Sequence, residues 1–455
     1  MMAMPPSTHN QPAALGPRSK AEFERAKHIT PGGSMRQATY FPPHPPFAAR
    51  GSGAWMIDVD GRQILDCANN FFSLIHGHAF PPVLEALRSV IDQGTAFGIP
   101  TSHEIELANA IRARSPRLEQ VRFVNSGTEA VMFAVKGARG ITGRHAIAKF
   151  EGAYHGAYDP VEVSLDSTPE IWGDETPAGV VYARGSPPSL LHDTIVLPFD
   201  DPSQCRLLLA EHGTRLAAVL LDPFPSRIGM VPASEHLLEV LNECRRKLGI
   251  LLVLDEVVSY RLGYRGAHEL FGLEPDLVAL AKIIGGGLPI GAVAGPARHM
   301  AVFDHTKGKP AVANGGTFSA NPLSMTAGLA TLRAYDEPAI ARLNGLGQEL
   351  RHRLNEQLPR RGVPAQVTGM GSLFRLHLTR RPITGYRSCF PSPSQKQALA
   401  AIHFAFLERG FLLTPNCSGA LSTVMTQSDI AEVGDAIVEA AAHVFASQGW
   451  ADRTA

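Results

Sequence analysis

The chain has 455 residues, 44% of them apolar, and its 42 Lys and Arg balance 42 Asp and Glu. That much apolar material fills a large core and points to two unequal domains, while the balanced charge argues against nucleic acid or an anionic membrane surface as partner. No run approaches the roughly 18 apolar residues of a membrane span, and five scattered cysteines without a CxxC pair describe buried thiols of a cytoplasmic protein rather than a disulfide framework or zinc site.

Residues 1–17 are rich in Pro, Ala and small polar residues and lack a basic segment followed by a long apolar one, so they read as a disordered tail and not a signal peptide. A helix is expected over 18–29, ended by Pro31-Gly32-Gly33, after which come Ser34-Met35-Arg36. Asp60-Gly61 is a turn signal between two short strands within 54–66. Thr101 and Glu104 have capping-box spacing and open a helix through 112.

The run Phe123-Val124-Asn125-Ser126-Gly127-Thr128-Glu129-Ala130 reads as a strand end turning into a helix over 129–140. Glycine lets the backbone approach a ligand closely, unpaired N–H groups at a helix start attract phosphate, and the hydroxyls of Ser126 and Thr128 add donors. Taken alone, Ser-Gly-Thr is equally a simple helix cap. Lys149 to Gly156 follow, with Tyr154 beside a glycine turn, and then a Pro-, Gly- and Ser-rich stretch over 160–198 that reads as a surface excursion.

A buried strand over 217–221 leads into Asp222-Pro223-Phe224-Pro225, and an amphipathic helix over 235–248 leads into the apolar run 250–254. That run ends in Asp255-Glu256-Val257. A second run, 277–281, ends in Lys282, followed by Gly285-Gly286-Gly287. One carboxylate and one ammonium thus stand at the carboxyl ends of two inner strands, where open α/β sheets place ligands. The pair is what pyridoxal phosphate requires: an amine to condense with its aldehyde and a carboxylate to hold a proton on its pyridine nitrogen. By itself it is also compatible with a buried Asp–Lys ion pair. Asn314 to Leu323 form a Gly-rich loop before a helix beginning at Pro322, and the rest reads as a long helix over 348–358, strand-like pieces over 371–378 and a last helix over 428–446. The histidines lack a spacing such as HExxH, so no metal site is expected.

Asp255-Glu256-Val257 with Lys282, the Ser126-Gly127-Thr128 turn, Tyr154-His155-Gly156 and the Thr317 loop occur in an order that resembles the class III (omega-type) branch of the fold type I aminotransferases. The likeness runs from about Thr30 to the C-terminus. It implies an α/β fold with a mostly parallel central sheet and helices on both faces, plus a smaller α+β domain. The expected division is an N-terminal segment 18–80 belonging to the small domain, a large cofactor-binding domain 81–325 and a C-terminal small domain 326–455. The resemblance also implies pyridoxal 5'-phosphate as cofactor. Lys282 and Asp255 are then catalytic; Ser126, Gly127 and Thr128 form the phosphate cup; Tyr154 and Val257 lie on opposite faces of the ring; and Thr317 reaches the phosphate of the neighbouring subunit in a homodimer.

Within the family the chain resembles the branch of glutamate-1-semialdehyde aminomutase and of aminotransferases that act on β-amino acids. Mutases of this type read Met-Thr-Gly-Phe-Arg after Asp-Glu-Val, whereas this chain has Val258-Ser259-Tyr260-Arg261, and Asp222-Pro223 replaces a more usual Glu-Pro. The expected activity is therefore transfer of an amino group from a carboxylated donor to a keto acid, with the mutase or an epimerase as alternative. Arg36 matches the arginine that this branch brings to the substrate carboxylate, and no arginine occurs between Arg409 and Arg453 to serve instead. A solvated surface arginine is the plainer reading of Arg36.

Overall fold

The structure is a computed structural model that describes residues 15–447. Most of the expected tail lies outside the described residues, and Pro17 already opens the first helix, Pro17–Lys27. The chain forms two compact units. The larger comprises Pro81–Asn344 and Arg381–Phe390; the smaller comprises the described parts of Met1–Phe80, Gly345–Arg380 and Pro391–Ala455. Residues 326–344 group with the larger unit, where helix Pro322–Ala334 packs on helices Pro81–Ile91 and Ser102–Arg114.

The larger unit is built on a seven-stranded sheet: β1 (Gln120–Val124), β2 (Ala146–Phe150), β3 (Thr194–Leu197), β4 (Leu216–Leu221), β5 (Leu251–Asp255), β6 (Leu277–Ala281) and β7 (Gly291–Gly295). Their order is β1-β7-β6-β5-β4-β2-β3. β7 runs antiparallel to both its neighbours, and every other pairing is parallel. Strands β2, β4, β6 and β7 are buried at every position. That is why β4 and β6 appear in the sequence as continuous apolar runs without alternation. Helix α1 (Gly127–Thr142) lays Ala130, Val131, Ala134, Val135 and Ala138 on the sheet at helical spacing, each valine contributing about 1.5–3 kcal/mol by burial. Helix α2 (Glu235–Leu248) begins at Ser234, whose hydroxyl accepts the N–H of Leu237 at 3.1 Å, and ends at Gly249 with φ +64°. The left-handed glycine turns the chain straight into β5.

Two expectations need correction. The stretch 160–198 is not all surface: Val161, Val163 and Leu165 are buried, and Thr194–Leu197 is the edge strand β3. A four-residue strand after a Pro-rich loop is too short to announce itself by periodicity. Thr101 precedes helix Ser102–Arg114 but makes no side-chain cap; its hydroxyl is buried without a partner. The spacing was right and the capping geometry was not.

In the smaller unit, antiparallel strands Ala48–Ser52, Trp55–Asp58 and Gln63–Asp66 are joined on one side by Phe411–Leu412 in parallel, and a second sheet contains Gln366–Thr368, Leu373–His377 and Ser418–Ala420. The helix expected over 348–358 is longer, Glu337–Arg360. The last helix, Gln427–Ser447, buries Ile430, Val433, Ile437 and Val444. Among the described residues no helix is long and apolar enough to cross a membrane.

Candidate active site

Three strand ends converge on one edge of the large sheet. Gly291 of β7 pairs with Val124 of β1 on one side and with Ala281 of β6 on the other, while Asp255 of β5 pairs with Ala279. The turn after β1, the carboxylate ending β5 and the lysine after β6 are therefore neighbours. Two glycines permit the close fit: a Cβ at Gly291 would lie 2.0 Å from the Ser126 carbonyl oxygen, and one at Gly127 would lie 3.1 Å from Val257 Cγ1 and 3.5 Å from Ala281 Cβ. Ser126, Gly127, Val257 and the residue before Lys282 thus stand together.

At the turn, the Ser126 hydroxyl accepts the N–H of Glu129 at 3.1 Å and caps α1. The N–H groups of Gly127 and Thr128 start the helix and have no intrahelical acceptor. Thr128 Oγ1 accepts the N–H of Ala157 at 3.2 Å, so both hydroxyls retain their hydrogens for an anion. The Glu129 carboxylate accepts from the N–H of Asn125 at 2.8 Å, fixing the turn from below.

Asp255 is buried and accepts two hydrogen bonds, from the Val257 N–H at 2.9 Å and from His155 Nδ1 at 2.7 Å. The His155 ring is fully enclosed. Burial pulls its pKa below the ordinary imidazole value, against the opposing pull of Asp255, so the ring is neutral with its proton on Nδ1, and Nε2 is left buried without a partner. The sequence gives His155 no role of its own beyond its place in Tyr154-His155-Gly156. Its position next to Tyr154 was the one available signal, because the contact spans 100 residues.

Glu256 is also buried. It accepts the N–H groups of Ala267 and His268 and the His268 Nδ1 at 2.7–2.8 Å, locking the loop that continues from Asp255.

Lys282 has φ +52°, a left-handed conformation that a side chain occupies at a cost. Its amine makes no ion pair with Asp255 among the described residues. Burial lowers the amine's pKa from the ordinary lysine value, although Asp255 and Asp222 pull it back. A larger share of neutral amine, the nucleophilic form, results. Asp222 follows β4 beside β5, with Leu221 in register with Leu254. Its Oδ1 accepts the Phe224 N–H at 3.0 Å, and burial, followed by the charge of Asp255, pushes its carboxyl well above the usual range. A like charge beside a buried carboxyl favours its protonated form. The sequence had marked Asp222 only as a departure from the family pattern.

Tyr154 follows β2 and is 52% exposed, leaving its ring open for contact. Thr317 is exposed in a loop tied to the Ser126–Thr128 turn through Asn125 Nδ2 and Ser319 Oγ, 3.3 Å apart. Arg36 belongs to the smaller unit and is exposed.

Pyridoxal phosphate fits the residues present. Asp255 is a buried carboxylate held by two neutral donors, with no Lys or Arg of the described residues paired to it. A buried negative charge without a cationic partner is costly, and a protonated pyridine nitrogen supplies that partner. Helix-start N–H groups, an amine and an open aromatic face complete the set.

Fold and site together define a fold type I pyridoxal phosphate enzyme. Residues 38–426 match the family model for class III aminotransferases, and the chain belongs to that family. Its cofactor is pyridoxal phosphate, which a solved relative holds bound. Among curated relatives, glutamate-1-semialdehyde 2,1-aminomutase of Thermomicrobium roseum is 39% identical over 399 residues, covering 87% of this chain and 90% of the relative. Among solved structures, an omega-transaminase from Sphaerobacter thermophilus superposes with a TM-score of 0.91 at 45% identity, covering 94% of this chain and 97% of that one. A β-phenylalanine aminotransferase from Variovorax paradoxus superposes with a TM-score of 0.84 at 32% identity, covering 95% and 94%. The curated names favour the mutase alternative over the transfer reading expected from sequence.

Proposed function

We propose that the chain is an aminotransferase that takes an amino group from a carboxylated donor with an apolar side chain, a β-amino acid among them, and passes it to a keto acid. The supporting observation is the placement, at neighbouring strand ends, of a buried Asp255 held by His155 and the Val257 N–H and of Lys282 just after β6. When bound, the cofactor supplies the aldehyde that takes up the donor's amine and a ring that accepts the electrons left when a proton departs.

The chain's own residues do the rest. Asp255, held by His155 and Val257 N–H, keeps a proton on the ring nitrogen. Lys282 moves a proton at the substrate carbon that bears the amine, its neutral form being the base. The N–H groups of Gly127 and Thr128, with the hydroxyls of Ser126 and Thr128, hold the phosphate. Tyr154 and Val257 flank the ring. In this reading Arg36 pairs bidentately with the substrate carboxylate, Thr317 serves the neighbouring site of a homodimer, and the enzyme works in the cytoplasm.

The second reading is the aminomutase, favoured by the curated relatives. Against it stand Val258-Ser259-Tyr260-Arg261 in place of the mutase sequence and the 45% identity to a protein named as a transaminase. Omission of the keto acid separates the two. Transfer predicts a single half-reaction that stops at one equivalent of product per site; sustained turnover of glutamate-1-semialdehyde without acceptor would establish the mutase.

A further inference from the structure

Within the smaller unit, four consecutive residues with side chains occupy the left-handed region: Asn69, Asn70, Phe71 and Phe72, at φ +46°, +47°, +55° and +72°. Single residues other than glycine visit this region uncommonly, and a run of four survives only where the surroundings hold it. Those holders are present. Asp66 Oδ1 accepts the N–H groups of Ala68 and Asn69 at 2.9 and 2.8 Å, and its Oδ2 meets His78 Nε2 at 2.9 Å. Asn69 Nδ2 donates to the Ala420 carbonyl at 2.6 Å, and Asn69 and Phe72 are buried. The turn is fixed at both ends, and its middle pair, Asn70 and Phe71, is left to face something else.

That something is Arg36. Its NH1 donates to Asn70 Oδ1 at 2.7 Å, and its guanidinium carbon lies 5.5 Å from the centre of the Phe71 ring. The amide of Asn70 is oriented from its other end as well, since Nδ2 donates to Ser73 Oγ at 3.1 Å. The backbone of Arg36 is held in turn, its carbonyl accepting from Thr39 Oγ1 at 2.7 Å and from Ser34 Oγ at 3.0 Å. Among the described residues no carboxylate pairs with Arg36. An amide oxygen and a ring face fix the guanidinium without neutralising it, so its charge stays available for an incoming carboxylate. An exposed arginine without such supports spends its rotamer freedom on binding.

We propose that Asn70 is a positioning residue that, from the left-handed turn and together with Phe71, presets the Arg36 guanidinium for a substrate carboxylate. This rests on the reading of Arg36 as the substrate anchor. The amide is the feature that matters: an acid at position 70 would hold Arg36 equally well but compete for its charge.

The test uses the holoenzyme and two probes, 3-amino-3-phenylpropanoate as donor and 3-phenylpropanoate as a non-reacting carboxylate whose Kd is read from the change in cofactor absorbance. Asn70→Asp should raise KM for the donor and Kd for the carboxylate about tenfold or more, the scale of one charge-assisted hydrogen bond, with a much smaller change in kcat. Asn70→Gly, which relaxes the strained backbone while deleting the amide, should weaken carboxylate binding without lowering the melting temperature. That combination separates positioning from fold support. Arg36→Ala is the control for the underlying reading. If Arg36→Ala leaves both probes unaffected, Arg36 is not the anchor and the proposal falls with it. If Arg36→Ala weakens both probes while either Asn70 variant binds them as the wild type does, the anchor stands and the role of Asn70 is overturned.

Discussion

Replacing His155 with leucine tests whether the buried contact with Asp255 matters to catalysis or only to packing. The ring donates Nδ1–H to a carboxylate at 2.7 Å in a place water does not reach. Leucine fills most of the volume but offers no donor, so Asp255 keeps only the Val257 N–H. A hydrogen bond to a charged group contributes about 1.5–3 kcal/mol, and at 1.36 kcal/mol per tenfold a loss felt wholly in the transition state lowers kcat/KM by roughly tenfold to 150-fold. The assay is kcat/KM of the cofactor-saturated enzyme beside a titration of the cofactor-free protein with pyridoxal phosphate. His155→Gln, which can restore a donor, should recover part of the loss. His155 also leaves a mark on stability. Its folded pKa lies below the ordinary value, so its contribution is present above about pH 6.5 and is lost as pH falls through the folded value. The leucine variant should lack that acid-side decline. Wild-type kcat/KM and cofactor affinity in His155→Leu would refute the argument that the ring positions Asp255.

Asp222 has the opposite pH signature. Its carboxyl pKa is raised by burial and by Asp255, so the stability it contributes is present below the ordinary carboxylate value and lost as pH rises through the folded one. Asp222→Asn should therefore melt above the wild type by a margin that grows toward alkaline pH; a margin that shrinks with pH would show that the acid is ionised. Gly291→Ala places a Cβ 2.0 Å from the Ser126 carbonyl, an overpacking that typically costs about 1–3 kcal/mol. Thermal melts and cofactor retention after dialysis should both fall, and an unchanged protein would mean that β7 and the Ser126–Thr128 turn are looser than described. For Thr317, dimers pairing Thr317→Ala with Lys282→Ala subunits separate action in trans from action in cis: activity of the mixture that differs from that of the parents combined supports trans, and no difference supports cis.

Strand runs buried on both faces and the turn before α1 were legible in the sequence because each is a local pattern. Leu277–Ala281 and Glu235–Leu248 fall where periodicity put them, and Asp255 and Lys282 sit at strand ends where an α/β sheet exposes side chains to a ligand. The contact of His155 was not legible beyond its place next to Tyr154, because the carboxylate it meets lies 100 residues away. Nor was the Asn69–Phe72 turn, since asparagine tolerates positive φ but two phenylalanines do not signal it. Edge strand Thr194–Leu197 escaped because its four residues follow a Pro-rich loop and gain their strand conformation from pairing with β2. The raised pKa of Asp222 comes first from burial and then from Asp255 at the end of the adjacent strand, relations that the fold creates and spacing does not.

The measurement closest to the central claim is a map of where the cofactor is attached. Borohydride reduction of the holoenzyme, digestion and mass spectrometry should find the pyridoxyl group on the peptide containing Lys282, with none recovered from Lys282→Ala and no turnover by that variant. A labelled peptide without Lys282, or a Lys282→Ala enzyme that still turns over, would contradict the assignment of this sheet edge as the active site.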